Sequence, residues 1–399
     1  MPRAHRTLTL VLLPVVAACH DPDLATAPQL TESQRGQFAV TGFDLETIET
    51  QGGRSCGLTR GGQAYCWGAN GYGELGNGTF DGSLVPTPVA GGYTFIALAL
   101  NIRATCGITK GGQAFCWGLG MNGALGNGSV DTRSAVPLPV SSATQFTAIT
   151  GGEIDLPGGF GSAWFCALDK SGRLYCWGQN ERGQFGDGTT ETYIAPTLVP
   201  GVTFTAIAGA STTLCALTKE GQAFCAGRSA RIFDDGTTES SPTFVPVPGG
   251  VTFRSLTAGL SHRCGITTTG RAMCWGSGYI GSELPGGVPT ATPTPIASDD
   301  FFVTIDAAGM ETCAITTRGS ALCWGWNQMG QMGNGTTDAQ GLPGPVSGGF
   351  QFLDISVGHT HGCGITKGLG TWCWGINSNG QLGDGTTTSH LTPSPVSVP

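Results

Sequence analysis

Apolar and polar positions recur along the chain with a period of about fifty residues, and each unit predicts four short strands. A unit opens with an aromatic and a branched residue, as in Phe204-Thr205-Ala206-Ile207, and a Gly-containing bend leads into a hairpin. The hairpin ends in Trp-Gly, as at Trp177-Gly178, and a turn of the form Asn-x-x-Gly-x-Leu-Gly-x-Gly-Thr follows. A Pro-x-Pro-Val strand, as in Pro86-Thr87-Pro88-Val89, closes the unit. Four short strands in about fifty residues is the size of one propeller blade.

The cysteines mark the same period, because fourteen of the fifteen form seven pairs whose members lie ten positions apart. The segment between the members predicts a hairpin. In the first unit, Leu58-Thr59 and Gln63-Ala64 flank the Gly-containing loop Arg60-Gly61-Gly62. The pairs are Cys56 with Cys66, Cys106 with Cys116, Cys166 with Cys176, Cys215 with Cys225, Cys264 with Cys274, Cys313 with Cys323, and Cys363 with Cys373.

The hairpin register places the two cysteines of each pair directly opposite one another. The residue before the second cysteine is large in every unit, and the residue that would face it is small. The large residues are Tyr65, Phe115, Tyr175, Phe224, Met273, Leu322 and Trp372, and the small ones are Gly57, Gly107, Ala167, Ala216, Gly265, Ala314 and Gly364. Directly opposed strand residues lie within disulfide reach, so we predict one disulfide in each blade. The alternative is zinc ligation, which favours close C-x2-C pairs that the sequence lacks.

Residues 1–18 predict a signal peptide. Arg3 and Arg6 form a basic start, and the apolar run that follows is too short to span a bilayer comfortably. The run ends in Val16-Ala17-Ala18-Cys19, which resembles a bacterial lipobox, whose cysteine is acylated and becomes the new N-terminus. The alternative is an ordinary signal peptide in which Cys19 is incidental. Because Cys19 is also the one cysteine outside the seven pairs, we predict that it carries the lipid.

Composition predicts a turn-rich body that contacts the membrane only through this lipid. The chain has 67 Gly, 23 Pro and only 12% charged residues, which is typical of many short strands. Polar residues 19–37 predict a tether, and residues 38–399 contain the repeated units. The net charge of −8 becomes more negative when a leader with two arginines and no acid is removed, which argues against nucleic acid as a partner. No second apolar stretch is long enough for a transmembrane helix.

The last unit shows the repeat most completely, as Gly375-Ile376-Asn377-Ser378-Asn379-Gly380-Gln381-Leu382-Gly383-Asp384-Gly385-Thr386. This sequence resembles the repeat of the regulator-of-chromosome-condensation (RCC1-like) family, and the resemblance covers roughly residues 38–399. It implies an all-β fold, a seven-bladed β-propeller. The predicted disulfides differ from the cytoplasmic members and fit an oxidising compartment. The family includes nucleotide-exchange factors for a small GTPase and a secreted β-lactamase inhibitor protein, so the resemblance indicates fold more than function.

Two recurring features predict structural roles. A tryptophan follows the second cysteine in six units, while the fourth has Ala226, and this regularity favours packing between blades over a ring of binding aromatics. The six are Trp67, Trp117, Trp177, Trp275, Trp324 and Trp374. Asp-Gly-Thr at Asp187, Asp235 and Asp384 could suggest calcium. Asn-Gly stands at the same place in other units, so the side chain there need only favour a turn.

Catalytic and metal-binding signals are weak, so we predict neither an enzyme nor a cofactor. The sequence has no nucleophile elbow, phosphate-binding Gly loop or zinc-protease helix. His262 and His361 lie two places before a first cysteine, and the variation of this position among units predicts that it is exposed or loosely constrained. A metal site at His359 and His361 is an alternative, for which the sequence shows no third ligand nearby.

The irregular units suggest a recognition surface, because loops that break a repeat often carry binding residues. The third unit has about ten extra residues in the segment 151–164, and the fourth and fifth units replace the regular turn. We predict that recognition involves these loops, around Trp164, Phe233 and Tyr279, since aromatic side chains supply much interface energy. Against this, the third unit is altered before its hairpin and the others after it, which would place them on opposite faces. Neutral drift of surface loops is the alternative.

Together these inferences favour an exported, lipid-anchored, monomeric binding or scaffold protein of the bacterial envelope, which recognises a protein or glycan through one face of the ring. One alternative is an enzyme inhibitor similar to the secreted β-lactamase inhibitor, which would need an aromatic-rich concave face. Nucleotide exchange is implied by the family alone, and export would separate the chain from cytoplasmic GTPases. The sequence identifies neither the ligand, nor the membrane, nor the terminus that closes the ring.

Overall fold

The computed structural model describes residues 43–154, 162–232, 238–282, 289–368 and 370–399. Within these residues, twenty-eight strands form seven antiparallel sheets of four strands each. The predicted all-β, seven-bladed propeller is therefore confirmed. No helix in this part of the chain has the length and hydropathy of a membrane span. The signal peptide, Cys19 and the tether lie outside the described residues, so lipidation stays a prediction.

Each blade consists of four strands that follow one another directly in the sequence. Blades one to four contain β1 (Thr47–Gln51), β2 (Arg54–Leu58), β3 (Ala64–Gly68), β4 (Ser83–Pro88), β5 (Phe95–Leu100), β6 (Ala104–Thr109), β7 (Ala114–Leu119), β8 (Arg133–Pro139), β9 (Phe146–Ile154), β10 (Ser162–Asp169), β11 (Arg173–Gly178), β12 (Tyr193–Thr203), β13 (Ala206–Ala210), β14 (Thr213–Leu217), β15 (Ala223–Ile232) and β16 (Thr238–Pro246). Blades five to seven contain β17 (Phe253–Ala258), β18 (His262–Thr267), β19 (Ala272–Gly276), β20 (Thr290–Pro295), β21 (Phe302–Ala308), β22 (Glu311–Thr316), β23 (Ala321–Gly325), β24 (Gln340–Pro345), β25 (Phe352–Val357), β26 (His361–Thr366), β27 (Gly370–Gly375) and β28 (His390–Pro395). A short 3₁₀ turn, Met121–Gly123, lies in blade two.

The first strand of each blade is the innermost, and contacts between first strands close the ring. Each of these strands contacts the first strand of the next blade, and β25 of blade seven contacts β1 of blade one. None of the seven sheets mixes strands from the two ends of the chain. Instead, Phe43, which precedes the first strand of blade one, is hydrogen-bonded to blade seven. Its N–H donates to the carbonyl of Val396 (3.3 Å), and its carbonyl accepts from the N–H of Thr371 (3.1 Å). Among the described residues, these bonds and the contact of β25 with β1 join the two ends of the chain.

All seven predicted disulfides are present, and each joins the second and third strands of one blade. The paired cysteines are direct partners in the strand register, with Cα atoms 4.0–4.1 Å apart. The large-against-small register is also confirmed, since Gly57 faces Tyr65. Each bond closes a short loop between buried residues, and loop entropy assigns such a loop roughly 3 kcal/mol of stabilisation. From blade one to blade seven, the bonds join Cys56 to Cys66, Cys106 to Cys116, Cys166 to Cys176, Cys215 to Cys225, Cys264 to Cys274, Cys313 to Cys323, and Cys363 to Cys373.

The tryptophans pack between blades, as predicted from their recurrence. The indole N–H of Trp117 donates to the carbonyl of Glu74 in the preceding blade (2.8 Å). Its ring lies against Gly76, where a Cβ would stand 2.6 Å from the indole nitrogen, so this turn position requires glycine. Blade four has Ala226 instead of tryptophan, and Phe244 takes over the contact with the equivalent glycine, Gly186. Regular recurrence therefore marks a packing site, and one blade fills it from a different strand.

The Asn-x-x-Gly-x-Leu-Gly turn is held by its own polar side chains. The Asn70 side chain accepts the N–H of Leu75 (2.8 Å) and donates to the carbonyl of Thr79 (3.0 Å). Further along such a turn, the Asp187 carboxylate accepts both the N–H and the hydroxyl of Thr189, each at 2.9 Å. Asn334 makes the same two bonds in blade six. The interpretation of Asp-Gly-Thr and Asn-Gly-Thr as turn formers is confirmed, while Asp235 lies outside the described residues.

Candidate functional site

The connections between strands divide the surface into two faces. Neighbouring strands are antiparallel, so the connection from first to second strand and that from third to fourth strand emerge on the same side of each blade. We call this side the upper face, and the side of the other two connections the lower face. The altered segment of blade three joins β9 to β10, and those of blades four and five join third to fourth strands. All three therefore emerge on the upper face, and the expected placement on opposite faces is wrong.

The structure corrects the role expected for Trp164. Its ring is fully buried between blades three and four, against Gly152 and Gly209, and its indole N–H donates to the carbonyl of Ser211 (2.6 Å). Trp164 belongs to β10 rather than to the inserted loop, so it offers no surface to a ligand. Tyr279 is half-buried on the upper face, in the third connection of blade five, and Phe233 lies outside the described residues.

The position two places before each first cysteine is buried and packed, so the prediction that it is exposed or loosely constrained is wrong. The physical reason is that the second strand packs both of its faces between neighbouring blades. No residue at this position is more than 4% exposed. They are Arg54, Ala104, Trp164, Thr213, His262, Glu311 and His361.

In six of the seven interfaces, this side chain meets the residue that precedes the first cysteine of the next blade. We call these contacts the inter-blade pairs. Four of them are hydrogen-bonded: Arg54 with Thr105 (3.2 Å), Thr213 with Arg263 (2.8 Å), His262 with Thr312 (2.7 Å) and His361 with Ser55 (2.9 Å). Two are apolar: Ala104 shares a core cluster with Phe165, and Trp164 shares one with Leu214. The matching of partners makes each interface chemically distinct.

The buried histidines have structural partners. Burial lowers the pKa of His262 to about 4 and that of His361 to about 3, so both are neutral at physiological pH. The ring of His359 is hydrogen-bonded to the Gln51 side chain (2.9 Å) across the junction of blades seven and one. Within the described residues, no group of three or more His, Cys, Asp or Glu side chains is arranged to hold a metal ion. The His359–His361 pair therefore acquires no third ligand in this part of the chain.

A cavity of about 220 Å³ lies at the centre of the ring, lined by the innermost strands, and it contains no Lys or Arg side chain. Burial and the charges of Asp306 and Asp354 raise the pKa of Glu49 in this lining well above its usual value. Burial also raises the pKa of Asp354, to about 7. The Asp306 carboxylate accepts the N–H of Val357 (2.8 Å), and that of Asp354 accepts the N–H of Ile48 (3.2 Å). The carboxylates of Asp306 and Asp354 thus each accept a backbone N–H from the free edge of the innermost strand in the next blade.

An exposed combination of aromatic and basic side chains lies elsewhere on the upper face, at the junction of blades one and two. Tyr72 is 37% exposed and Phe80 is 45% exposed. The Arg133 guanidinium lies 3.9 Å from the Phe80 ring centre and 5.9 Å from that of Tyr72, while Arg103 lies 5.4 Å from the Tyr72 ring. We call Tyr72, Phe80, Arg103 and Arg133 the arginine–aromatic patch. Tyr and Arg are the residue types that most often dominate binding energy in protein interfaces.

Sequence reasoning missed this patch because it lies on regular turns. One signal was available: Phe80 follows an Asn-Gly-Thr at a position where three other units carry Thr190, Thr337 and Thr387. Tyr72 likewise replaces Asn379 or Arg182 of equivalent turns. A large aromatic residue at a turn position that most other units fill with a polar residue has no packing function in the repeat. The change of residue type, rather than of loop length, indicates the candidate surface.

The fold is a disulfide-bonded propeller, and the sequence comparison identifies its repeat. The regulator of chromosome condensation (RCC1) repeat matches residues 61–99, 111–153, 171–217 and 318–365. The chain therefore carries RCC1 repeats and is an RCC1-like β-propeller. The first match begins in the hairpin of blade one and ends in the innermost strand of blade two, so the repeat is offset from the blade.

Solved structures agree on the fold. Human WBSCR16 has a TM-score of 0.69 at 19% identity, covering 79% of this chain and 85% of that chain. Yeast RCC1 (Prp20), in complex with Kap60, has a TM-score of 0.67 at 19% identity, covering 78% of each chain. The CRINKLY WD40 ectodomain of the Arabidopsis thaliana receptor kinase ACR4 has a TM-score of 0.53 at 20% identity, covering 88% and 98%. No curated protein sequence matches the chain.

Proposed function

We propose that this chain is an exported, membrane-anchored scaffold that binds a protein partner through its upper face and does not catalyse a reaction. The arginine–aromatic patch is the observation that carries the proposal. It combines exposed rings with guanidinium groups on the face where the variable connections also emerge. Protein interfaces are enriched in these residue types and tend to be built on loops over a rigid frame.

Structural neighbours support protein binding as the role of this fold. The yeast RCC1 structure is a complex with Kap60, and another yeast Prp20p structure is described together with binding to Gsp1p and histones. At 19% identity these partners do not transfer to this chain. The general use of such a ring, as a rigid frame that presents a face to another protein, is what we carry over.

The ionisable residues inside the ring favour binding over catalysis. His262 and His361 are buried and bonded to hydroxyl groups, and the Asp306 carboxylate caps a strand edge. A catalytic acid or base must reach the proton that it transfers. These groups are occupied in holding blades together, so their shifted pKa values follow from structure.

Export and lipidation are part of the proposal and have their own test. Seven buried disulfides are typical of oxidising compartments, and Cys19 stands outside them in a lipobox-like sequence. We expect wild-type chain produced in a bacterium to incorporate labelled fatty acid and to partition into detergent, and Cys19→Ser to lose both properties. A double variant, Cys56→Ala with Cys66→Ala, serves as the control and should keep the label. Retention of the label in Cys19→Ser would contradict lipidation.

The binding role is tested by capture from the native envelope with the purified full chain. We expect a protein to be retained by the wild-type chain and by the lower-face control Phe301→Ala, and to be lost when Tyr72→Ala, Phe80→Ala and Arg133→Ala are combined. Stoichiometric inhibition of a captured enzyme would identify the inhibitor alternative, and a retained glycan would replace the protein partner. Equal capture by the folded triple variant and the wild type would reject the upper face as the binding surface.

A further inference from the structure

We propose that the arginine–aromatic patch binds an acidic segment of its partner, with a carboxylate of that segment paired to Arg133 and a neighbouring apolar side chain packed on Phe80 and Tyr72. This inference rests on the proposed function and specifies the chemistry of the partner. It starts from the way in which Arg133 is held.

Arg133 is fixed in place without being neutralised. One of its terminal nitrogens donates to the carbonyl of Gly71 (2.8 Å), and its guanidinium plane is close to the Phe80 ring. Within the described part of the chain, no carboxylate forms an ion pair with it. Its side chain is exposed, and the surface above Gly71 is open. A guanidinium has five donors in a rigid fork, so most of its hydrogen-bonding capacity faces solvent.

A second Arg–Phe contact, on the lower face, differs in that its arginine has acceptors and a counter-ion within the molecule. The Arg271 guanidinium lies 4.7 Å from the Phe301 ring centre. It also pairs with Asp299 (3.9 Å) and donates to the carbonyls of Ser298 (3.5 Å) and Asp300 (3.3 Å). The same stacking therefore occurs once with internal acceptors and a counter-ion and once without a counter-ion. Only the upper-face copy has a charge left for a partner.

The net charge of the whole chain makes the arginine–aromatic patch more selective for an acidic segment. With a net charge of −8, most of the surface repels an acidic segment, and nucleic acid is disfavoured for the same reason. The Arg133 guanidinium lies beside both Tyr72 and Phe80, so the patch offers a cation next to two exposed rings. Arginine matches the planar geometry of a carboxylate, and the half-exposed rings accept an apolar neighbour. The best occupant is therefore an Asp or Glu next to an aromatic or aliphatic residue.

The test is selection of a random-peptide phage library on the purified full chain, followed by binding measurements with the synthetic winning peptide. We expect the enriched peptides to share an Asp or Glu beside an apolar residue. Arg133→Ala should weaken the winning peptide by about ten-fold or more, and Arg133→Lys by less, because lysine keeps the charge but not the fork. Arg271→Ala, the matched control, should leave affinity unchanged. Changing the peptide's acid to its amide should have the same effect as Arg133→Ala.

The outcomes separate this inference from the proposed function. Enriched peptides without an acid, an absence of enrichment, or equal affinity for the folded Arg133→Ala variant would overturn the inference. If the envelope partner is lost with Tyr279→Ala but retained by Arg133→Ala, the upper face binds and the assigned patch is wrong. If the peptide depends on Arg133 while the envelope partner ignores every upper-face variant, the patch stands and the proposed function fails. Because Arg133 is exposed, an unchanged melting temperature serves as the check on folding.

Discussion

The ring has an apolar half and a polar half, although both are built from the same repeat. Between blades two, three and four, the inter-blade pairs are Ala104 with Phe165 and Trp164 with Leu214. From blade four through seven to one, and on to blade two, the pairs include arginine, histidine and hydroxyl side chains. The innermost-strand residues that face the first cysteine do not follow the same division, because Thr150 of blade three is polar. These residues are Glu49, Ala99, Thr150, Ala208, Thr257, Asp306 and Ser356.

This difference shows how nearly identical blades acquire a fixed order. The hairpin register and the disulfide are the same in every blade, so they cannot distinguish one blade from another. The inter-blade pairs can, because a buried polar group without its partner costs about 1–3 kcal/mol. Moving blade five next to blade three would place Arg263 against Trp164 instead of Thr213. Packing stabilises the interfaces of the apolar half. Hydrogen bonds stabilise those of the polar half, where they offset the cost of desolvating the polar groups.

The largest expected effect lies in the apolar half. Trp164→Ala removes a fully buried ring that packs on two glycines, whose backbone cannot fill the space. We expect a loss of about 3–5 kcal/mol in the free energy of unfolding, measured by denaturant titration without reductant. Phe301→Ala is the control, because that ring is 49% exposed and its loss should cost less than about 1 kcal/mol. A Trp164→Ala loss as small as the control's would show that this interface does not depend on packing.

A second test concerns the two buried arginines of the polar half. Arg54 donates to the carbonyls of Asn101 (2.6 Å), Ala104 (2.7 Å) and Ile102 (2.8 Å) in the next blade. Arg263 donates to the Thr213 hydroxyl, but its Nε and Nη1 find no partner among the described residues, and burial lowers its pKa to about 10. We expect Arg54→Met to cost about 2–3 kcal/mol and Arg263→Met to be nearly neutral.

The arginine comparison is read from unfolding curves of both methionine variants under one set of conditions, with the exposed Arg133→Met as the control for loss of charge. Equal costs at Arg54 and Arg263 would mean that the number of satisfied donors does not determine the contribution of a buried arginine. The polar half would then be stabilised by charge alone, and the contrast with the apolar half would need a different explanation.

Stability should depend on pH through the polar half. The pKa of Asp354 is about 7 in the fold and 3.8 as its ordinary value. The folded state therefore holds a proton that the unfolded chain has lost, so this contribution is complete below pH 3.8 and disappears as pH rises through 7. We expect Asp354→Asn to match the wild type near pH 4 and to exceed it by about 2 kcal/mol at pH 8. A constant difference across this range would contradict the shifted carboxyl.

The histidines act in the opposite direction at the acid end. Their ordinary pKa is 6.5, and burial lowers it to about 4 in His262 and about 3 in His361. Their contribution is complete above pH 6.5 and is lost as pH falls through 4 and then 3. His262→Gln keeps a donor near Thr312 and should flatten this acid limb. Melting temperatures of wild type, Asp354→Asn and His262→Gln between pH 3 and 9 measure both limbs.

The strand order, register and disulfides could be predicted because they depend on short-range spacing. Cysteines ten positions apart and the Gly57–Tyr65 type of pairing fix each hairpin locally. The burial of the position two places before each first cysteine could not be predicted in this way. Its variability looked like exposure, but each residue is matched to a different neighbour about one repeat away. For His361 the partner is Ser55, at the other end of the chain, and only ring closure brings them together.

The role of Trp164 was predicted wrongly for a related reason. Sequence reasoning looked for turns that break the repeat, whereas the arginine–aromatic patch lies on turns with regular length. Trp164 was assigned to a loop because it follows an insertion, yet it is paired with Gly178 inside the sheet. Loop length is visible in one sequence, while the exposure of a side chain depends on the blades beside it.

The smallest expected effect concerns a hydrogen bond that occurs in both halves and is missing at the junction of blades four and five. The free edge of each innermost strand has N–H groups that no strand pairs. Three hydroxyls at the position facing the first cysteine accept such a group from the next blade. They are Thr150 with Gly209 (2.9 Å), Thr257 with Ala307 (2.9 Å) and Ser356 with Thr50 (3.0 Å). Ala208 occupies the same position in blade four, where the corresponding N–H belongs to Ala258.

We expect Ala208→Ser to add this missing bond and to stabilise the chain by about 0.5–1.5 kcal/mol. The new hydroxyl needs little space, because Ala208 borders the central cavity. Thr257→Ala is the reciprocal control, and it should lose a similar amount by leaving the Ala307 N–H without its acceptor. Both differences can be measured as shifts in denaturant midpoint at constant slope. If Ala208→Ser is neutral while Thr257→Ala is destabilising, water in the cavity already satisfies the strand edge at the junction of blades four and five. The division between the halves concerns the inter-blade pairs in either case, because Thr150 makes this bond in the apolar half.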